Sequence, residues 1–169
     1  NAILGSIAKG DRLASTCTQL CVEVEALLPD VICSVLLVDD EGRLHPLAGP
    51  SLPNAYSAAL DGTLIGPSSG SCGSTAYFGT EVAVEDIATD PRWEQYRHIA
   101  LSHGLRACWS SPIINAASTT VATFAIYHRE PTMPTEAERE VVQNCVHLCL
   151  IAIDRHHRLV EHERRAFTD

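Results

Sequence analysis

The spacing of apolar and polar residues changes several times along this chain, and each change marks an element. Leu13, Cys17, Leu20, Cys21, Val24, Leu27 and Leu28 follow steps of three, four and one, which paints one stripe of a helix. Asp11, after Gly10, is placed to cap that helix by accepting from backbone N–H groups left unpaired in its first turn, and Pro29 ends it. Residues 31–38 are rich in branched side chains and too few for an ordinary helix, so they predict a strand buried on both faces. Asp39-Asp40-Glu41-Gly42 turns the chain, and residues 43–48 return as the second strand of a hairpin.

Residues 49–73 are long, irregular and rich in glycine and proline, with one short helical pattern over 53–60. Compact domains rarely keep such segments without a use, so this one is expected to form a wall of a site. Residues 74–78 read as a short helix and 81–84 as a short strand. An acidic turn over 85–93 leads into a helix patterned on Tyr96, Ile99, Ala100 and His103 and stopped by Gly104. Residues 105–114 and 120–128 predict a second hairpin. Thr135, followed three residues on by Glu138, has capping-box spacing and starts a helix. Its apolar stripe is Ala137, Val141, Val142, Cys145, Val146, Leu148, Cys149, Ala152 and Ile153. Beyond Asp154 apolar residues thin out, which predicts a helix leaving the domain. Strands joined by short turns pair antiparallel, so the class is α+β, with helices on the faces of an antiparallel sheet.

Composition agrees with a single globular unit: of 169 residues, 46% are hydrophobic and 20% charged. A chain of this size buries about 70% of its unfolded surface, enough for a core without disulfides. Lys and Arg number 12 against 21 Asp and Glu, a net charge of -9 that argues against nucleic acid as partner. No apolar run reaches the roughly 20 residues that span a bilayer, so a cytoplasmic protein with no membrane partner is expected. The seven cysteines include two i, i+4 pairs, Cys17 with Cys21 and Cys145 with Cys149, set in helical patterns unlike a secreted disulfide framework. Reduced thiols are the expectation.

Three separated motifs carry a family resemblance: Gly70-Ser71-Cys72-Gly73-Ser74-Thr75-Ala76, then Val84-Glu85-Asp86-Ile87, then Leu105-Arg106-Ala107-Cys108-Trp109-Ser110-Ser111-Pro112-Ile113. In this order and spacing, from about Leu4 to about Arg155, the chain resembles bacterial GAF domains. The resemblance implies a PAS-related, six-stranded antiparallel sheet, with the terminal helices on one face and a ligand pocket with short helices on the other. It places the GAF domain at residues 3–154 and an exported signalling helix at 155–169. Arg165-Ala166-Phe167-Thr168-Asp169 is similar to the run-in to a GGDEF diguanylate cyclase domain, which implies a cyclic di-GMP signalling protein, one that can also carry an EAL domain.

The family pocket maps onto Ser71, Cys72, Asp86, Trp93, Tyr96, His103, Arg106, Trp109, Ser110, Phe124 and Ile126. An aromatic and apolar cavity with a few convergent polar groups suits a small molecule. The competing reading makes the apolar members plain core and Asp86 with Arg106 a structural ion pair. Cys72 lies in a stretch similar to that of free methionine sulfoxide reductases, where this cysteine resolves a disulfide. Aligned on Pro112-Ile113, however, Cys108 takes the place of an acidic substrate-binding residue and the nucleophile position falls near Ala100, so that enzyme pattern is broken. A thiol at Cys72, near the start of a short helix, is also placed for redox sensing, against the plainer reading of a small buried residue.

Cys17, Cys21, Cys145 and Cys149 could be read as a zinc site, but zinc knuckles favour turns and loops, and core packing is expected. No cysteine precedes a histidine as covalent bilin binding would require. His103 is the one candidate haem ligand near the pocket, and a surface histidine at a helix end is the simpler reading. The Asn-Lys-Phe-x-Asp-Glu motif of cyclic-nucleotide GAF domains is absent. His156, His157 and His162 read as a solvated helix face. These readings converge on a non-catalytic sensory module, with no metal and no cofactor, that binds an unidentified small-molecule effector or senses redox state. It is expected to dimerise through its terminal helices and to control a covalently linked C-terminal output domain. The alternatives are a relative of the methionine sulfoxide reductases and a structural dimerisation spacer.

Overall fold

The computed structural model describes residues 2–168, with side chains described over 12–166. The first apolar stripe forms α1 (Ala2–Leu27). Asp11 lies inside this helix and not at its start. Gly5 and Gly10 each cost a helix only about 1 kcal/mol, too little to end it there. After Pro29 the chain runs into β1 (Ile32–Val38) and returns in β2 (Leu44–Ala48), paired antiparallel. Asp39 shapes the turn between them, because its Oδ1 accepts the backbone N–H groups of Glu41 and Arg43 at 2.9 Å each.

Three further strands, β3 (Val82–Val84), β4 (Ala107–Ile114) and β5 (Thr120–His128), complete an antiparallel sheet of order β2-β1-β5-β4-β3. The sheet has five strands where the resemblance implied six. Residues 62–65 run beside β2 and exchange backbone bonds with Gly42 and Leu44, but the pairing stops at one bridge, Arg43 to Leu64. Pro46, which has no N–H to donate, lies just beyond that bridge on the same edge.

The insert carries α2 (Asn54–Leu60), α3 (Gly70–Phe78), a 3-10 turn (Pro91–Trp93) and α4 (Arg97–Ser102) on one face of the sheet. The closing helix α5 (Glu136–Thr168) packs with α1 on the other. Its capping box forms as the spacing predicts: Thr135 N–H donates to Glu138 Oε1 at 2.8 Å, and Glu138 N–H to Thr135 Oγ1 at 3.1 Å. The other carboxylate oxygen of Glu138 sits 2.9 Å from His128 Nε2, tying the cap to the end of β5. At 33 residues α5 is about 50 Å long, more than the sheet beneath it can cover.

The two faces hold separate cores. Cys17, Cys21, Val24, Val35, Phe124, Val142, Cys149 and Ile153 pack between the sheet and α1 and α5. Ile32, Leu36, Tyr56, Cys72, Ile87, Trp93, Cys108 and Tyr127 pack between the sheet and the insert. Strand β1 feeds both, with Cys33 and Val35 on the first side and Ile32 and Leu36 on the second, which is why its sequence is apolar throughout. All seven cysteines are free thiols and buried. Among the described residues no three His, Cys, Asp or Glu side chains converge to hold a metal ion.

Candidate functional site

The site is built where α3 crosses the sheet. Ser71 and Thr75 stand one helical turn apart, and their hydroxyls donate to the carbonyls of Cys108 at 3.0 Å and Ser110 at 3.1 Å on β4. Four residues of helix rise about 6 Å and two residues of strand about 6.6 Å, so the two rows of groups match. Ser71 Oγ also accepts the Trp93 indole N–H at 3.0 Å, joining the 3-10 turn to the same anchor. Gly70 starts the helix at φ +68, and a Cβ there would meet the Trp93 ring at 3.4 Å. A Cβ on Gly73 would lie 2.4 Å from that of Ser69, so the glycine lets the turn into α3 close tightly.

This anchor encloses a cavity of about 20 Å³ beside Cys72, Trp93, Tyr96, Tyr127, Tyr56 and Leu36. That volume suits one water-sized molecule. The hydroxyls of Tyr56 and Tyr127 lie 2.9 Å apart and their rings stack edge to face at 5.7 Å. Burial raises both phenols well above their ordinary value of 10, so they stay neutral donors. Cys72 is different. A hydrogen bond from Cys108 lowers its value against the opposing effect of burial, with the hydroxyls of Ser110, Thr123 and Tyr127 adding to the shift. Burial, and then Cys72 itself, raise Cys108.

Of the residues expected at a pocket, Ser71, Cys72, Trp93 and Tyr96 line this cavity, and Ser110 lies under α3 beside Cys72. Asp86 and Arg106 pair with each other outside it, Arg106 Nη2 standing 3.3 Å from Asp86 Oδ1, which also accepts the Ala88 N–H. His103 touches Tyr56 from outside, ring centroids 6.0 Å apart. Trp109, Phe124 and Ile126 do not line the cavity, because they face α1 and α5. Adjacent strand residues point to opposite faces, so their neighbours Cys108, Ala125 and Tyr127 take the insert side. The Trp109 ring instead lies beneath the Arg139 guanidinium, 5.2 Å away. Tyr56 and Tyr127 belong to the site and were not among the expected residues. Burial of β5 on both faces hides the parity of Tyr127 in the sequence, and for Tyr56 the one signal is the helical pattern over 53–60.

On the opposite side, α1 and α5 form an open groove of about 460 Å³, lined by Leu13, Leu20, Leu148, Ile151 and Leu159 and rimmed by Arg12 and Arg155. Leu148, on the predicted α5 stripe, is 47% exposed, so that part of the stripe lies outside the core, and Ile151, off the stripe, is 49% exposed beside it. No helix among the described residues is long and apolar enough to cross a membrane.

A family model described as GAF domain matches residues 11–154. A methyl sulfide methyltransferase-associated sensor of Methanosarcina acetivorans is 37% identical over 155 residues, which is 91% of this chain but 16% of that protein. The chain therefore spans about one sixth of that relative's length. The GAF domain of a phosphoenolpyruvate-protein phosphotransferase from Coxiella burnetii has TM-score 0.72 at 17% identity, covering 94% of this chain and 97% of that one. A type II free methionine-R-sulfoxide reductase from Thermoplasma acidophilum also has TM-score 0.72, at 11% identity, covering 88% and 96%. At such identities these two likenesses speak for the fold.

Proposed function

This chain belongs to the GAF domain family, and from that premise we propose that it is a non-catalytic sensor module whose α3 cavity receives a small effector and whose α5 carries the response to a linked output domain. The observation that carries this reading is the anchoring of α3: the residues that enclose the cavity, Ser71 and Cys72, are fixed to β4, and the opposite face of β4 bears α5. A shift of α3 on β4 is thus felt one strand thickness away by the helix that leaves the domain. Coupling requires that the effector favour one of two arrangements, because equal affinity for both shifts nothing. The relative of 37% identity is named as a sensor and is far longer than this chain, which supports a module within a larger signalling protein.

In this proposal residues 3–154 sense and residues 155–169 lead into the output. A cyclic di-GMP output of GGDEF or EAL type rests on the resemblance of residues 165–169 alone, of which Asp169 lies outside the described residues. The α1 and α5 groove serves a homodimer. The reductase reading is disfavoured because Ala100 supplies no thiol at the nucleophile position and Cys108, on β4, stands where that resemblance expects an acidic substrate-binding residue. The small cavity favours a second reading, a structural spacer that takes no effector. Native mass spectrometry of the purified protein, followed by a thermal-shift screen of metabolites, separates the two. A retained or stabilising compound lost in a Tyr127→Leu variant supports the sensor. A bare protein stabilised by none of them supports the spacer.

A further inference from the structure

We propose that Cys72 and Cys108 form a peroxide-oxidised dithiol, with Cys72 the attacking thiol, Cys108 the resolving thiol and hydrogen peroxide the oxidant. The inference rests on the sensor reading of the same cavity and names one stimulus it answers. The two residues come from different elements, α3 and β4, and their thiols lie close enough beneath the helix for each to shift the other's titration. Ser71, next to Cys72, holds the two backbones together by donating to the Cys108 carbonyl at 3.0 Å.

Four features separate this pair from the other thiols. Cys72 lies in the first turn of α3, where unpaired N–H groups and the helix dipole favour a thiolate. The hydroxyls of Ser110 and Thr123 are fully buried and have no hydrogen-bond partner of their own, yet both act on Cys72 in the direction that favours its charged form. Cys72 borders the cavity of about 20 Å³, which admits a molecule near the size of water and not a bulky hydroperoxide. Burial and the neighbouring Cys72 keep Cys108 the protonated member of the pair, so any negative charge rests on Cys72. Cys17 and Cys149 also act on each other, between α1 and α5, but both are fully buried and neither lines the groove between those helices.

The chemistry balances in two steps. The Cys72 sulfur attacks one peroxide oxygen, an S–O bond forms as the O–O bond breaks, and the departing hydroxide takes the thiol proton to become water. The Cys108 sulfur then attacks the sulfenic sulfur, an S–S bond forms as the S–O bond breaks, and the second hydroxide leaves as water with the Cys108 proton. Two thiols lose two electrons in all, and the peroxide gains them.

The test treats the fully reduced protein with stoichiometric hydrogen peroxide and follows intact mass and non-reducing peptide maps. Wild type is expected to lose about 2 Da, to regain it with dithiothreitol, and to yield one cross-linked peptide pair holding Cys72 and Cys108. Cys108→Ala should stop at a sulfenic acid on Cys72, captured by dimedone, and Cys72→Ala should give neither product. Cumene hydroperoxide should react at least about tenfold more slowly than hydrogen peroxide, relative to the same ratio for a free thiol. A cross-link at Cys17 and Cys149 instead, or no mass change in wild type, overturns the proposal, and the wild-type map decides this even if a variant fails to fold. Peroxide inertness in a protein that still binds a metabolite defeats this inference and leaves the sensor reading intact. A Cys72 to Cys108 disulfide that leaves hydrogen exchange in α5 unchanged does the reverse.

Discussion

Removing the Ser71 hydroxyl tests the anchor on which the site depends. In Ser71→Ala the Trp93 indole N–H, buried with its side chain, loses its acceptor at 3.0 Å, and the Cys108 carbonyl loses a donor at the same distance. A buried donor left unpaired costs about 1–3 kcal/mol, and the second bond adds about 1, so the expected loss is about 2–4 kcal/mol. For a domain of this size that lowers Tm by roughly 5–15 °C. Thr75→Val supplies the contrast, because it removes a single bond to the Ser110 carbonyl and strands no donor, and should cost about 1 kcal/mol. Urea unfolding followed by far-ultraviolet circular dichroism measures both, with unchanged m as the sign that the denatured state is unaffected. The cycle of Ser71→Ala with Trp93→Phe isolates the shared bond, and should return a coupling of at least about 1 kcal/mol. A Ser71→Ala loss below that of Thr75→Val, or additive single effects, would refute the reasoning.

Glu138→Ala should cost about 1–2 kcal/mol by removing the partner of the Thr135 N–H and the contact with His128, while Glu138→Gln keeps the cap and loses less; equal losses in chemical denaturation would contradict the capping account. His45 holds Asp61 and Asp39 at 2.7 Å through its two ring nitrogens, which raises its pKa from the ordinary 6.5. A raised folded value stabilises fully below 6.5 and is lost as pH climbs through the folded value, so stability should decline from about pH 6.5 upward in wild type and not in His45→Gln. Hydrogen bonds from His45, then from the Arg43 backbone, lower Asp39, whose contribution is present above its ordinary 3.8 and fades as pH falls through the folded value; one-dimensional NMR titration of the imidazole reads the first of these directly. Leu148→Glu with Ile151→Glu should convert a dimer to monomer in sedimentation velocity while changing stability by less than about 0.5 kcal/mol, and a dimer that persists would exclude the groove as its interface.

The elements were legible where local chemistry and burial agree. Thr135 and Glu138 form the expected cap, residues 120–128 form the expected strand, and both hairpins fold as the turns predict. The site was less legible for a definite reason. Strands β4 and β5 are buried on both faces, so polarity does not alternate along them, and nothing in the sequence says which parity meets the insert. The family resemblance maps Trp109 and Phe124 onto the pocket, whereas in the fold both pack under the terminal helices. The network of Ser71, Trp93 and Cys108 spans 37 residues of sequence and depends on how the insert folds over the sheet. Asp11 shows the opposite limit: a local cap signal gave way to a helix that runs through it.

Amide hydrogen exchange across α5, with and without a compound retained or stabilising in the metabolite screen, tests the coupling of cavity to helix most directly. The account predicts that exchange changes severalfold both in α3 and in the turns of α5 around Val142 to Ile153, which lie across the sheet from it. A change confined to α3 and the insert, with α5 untouched at saturating compound, would contradict it.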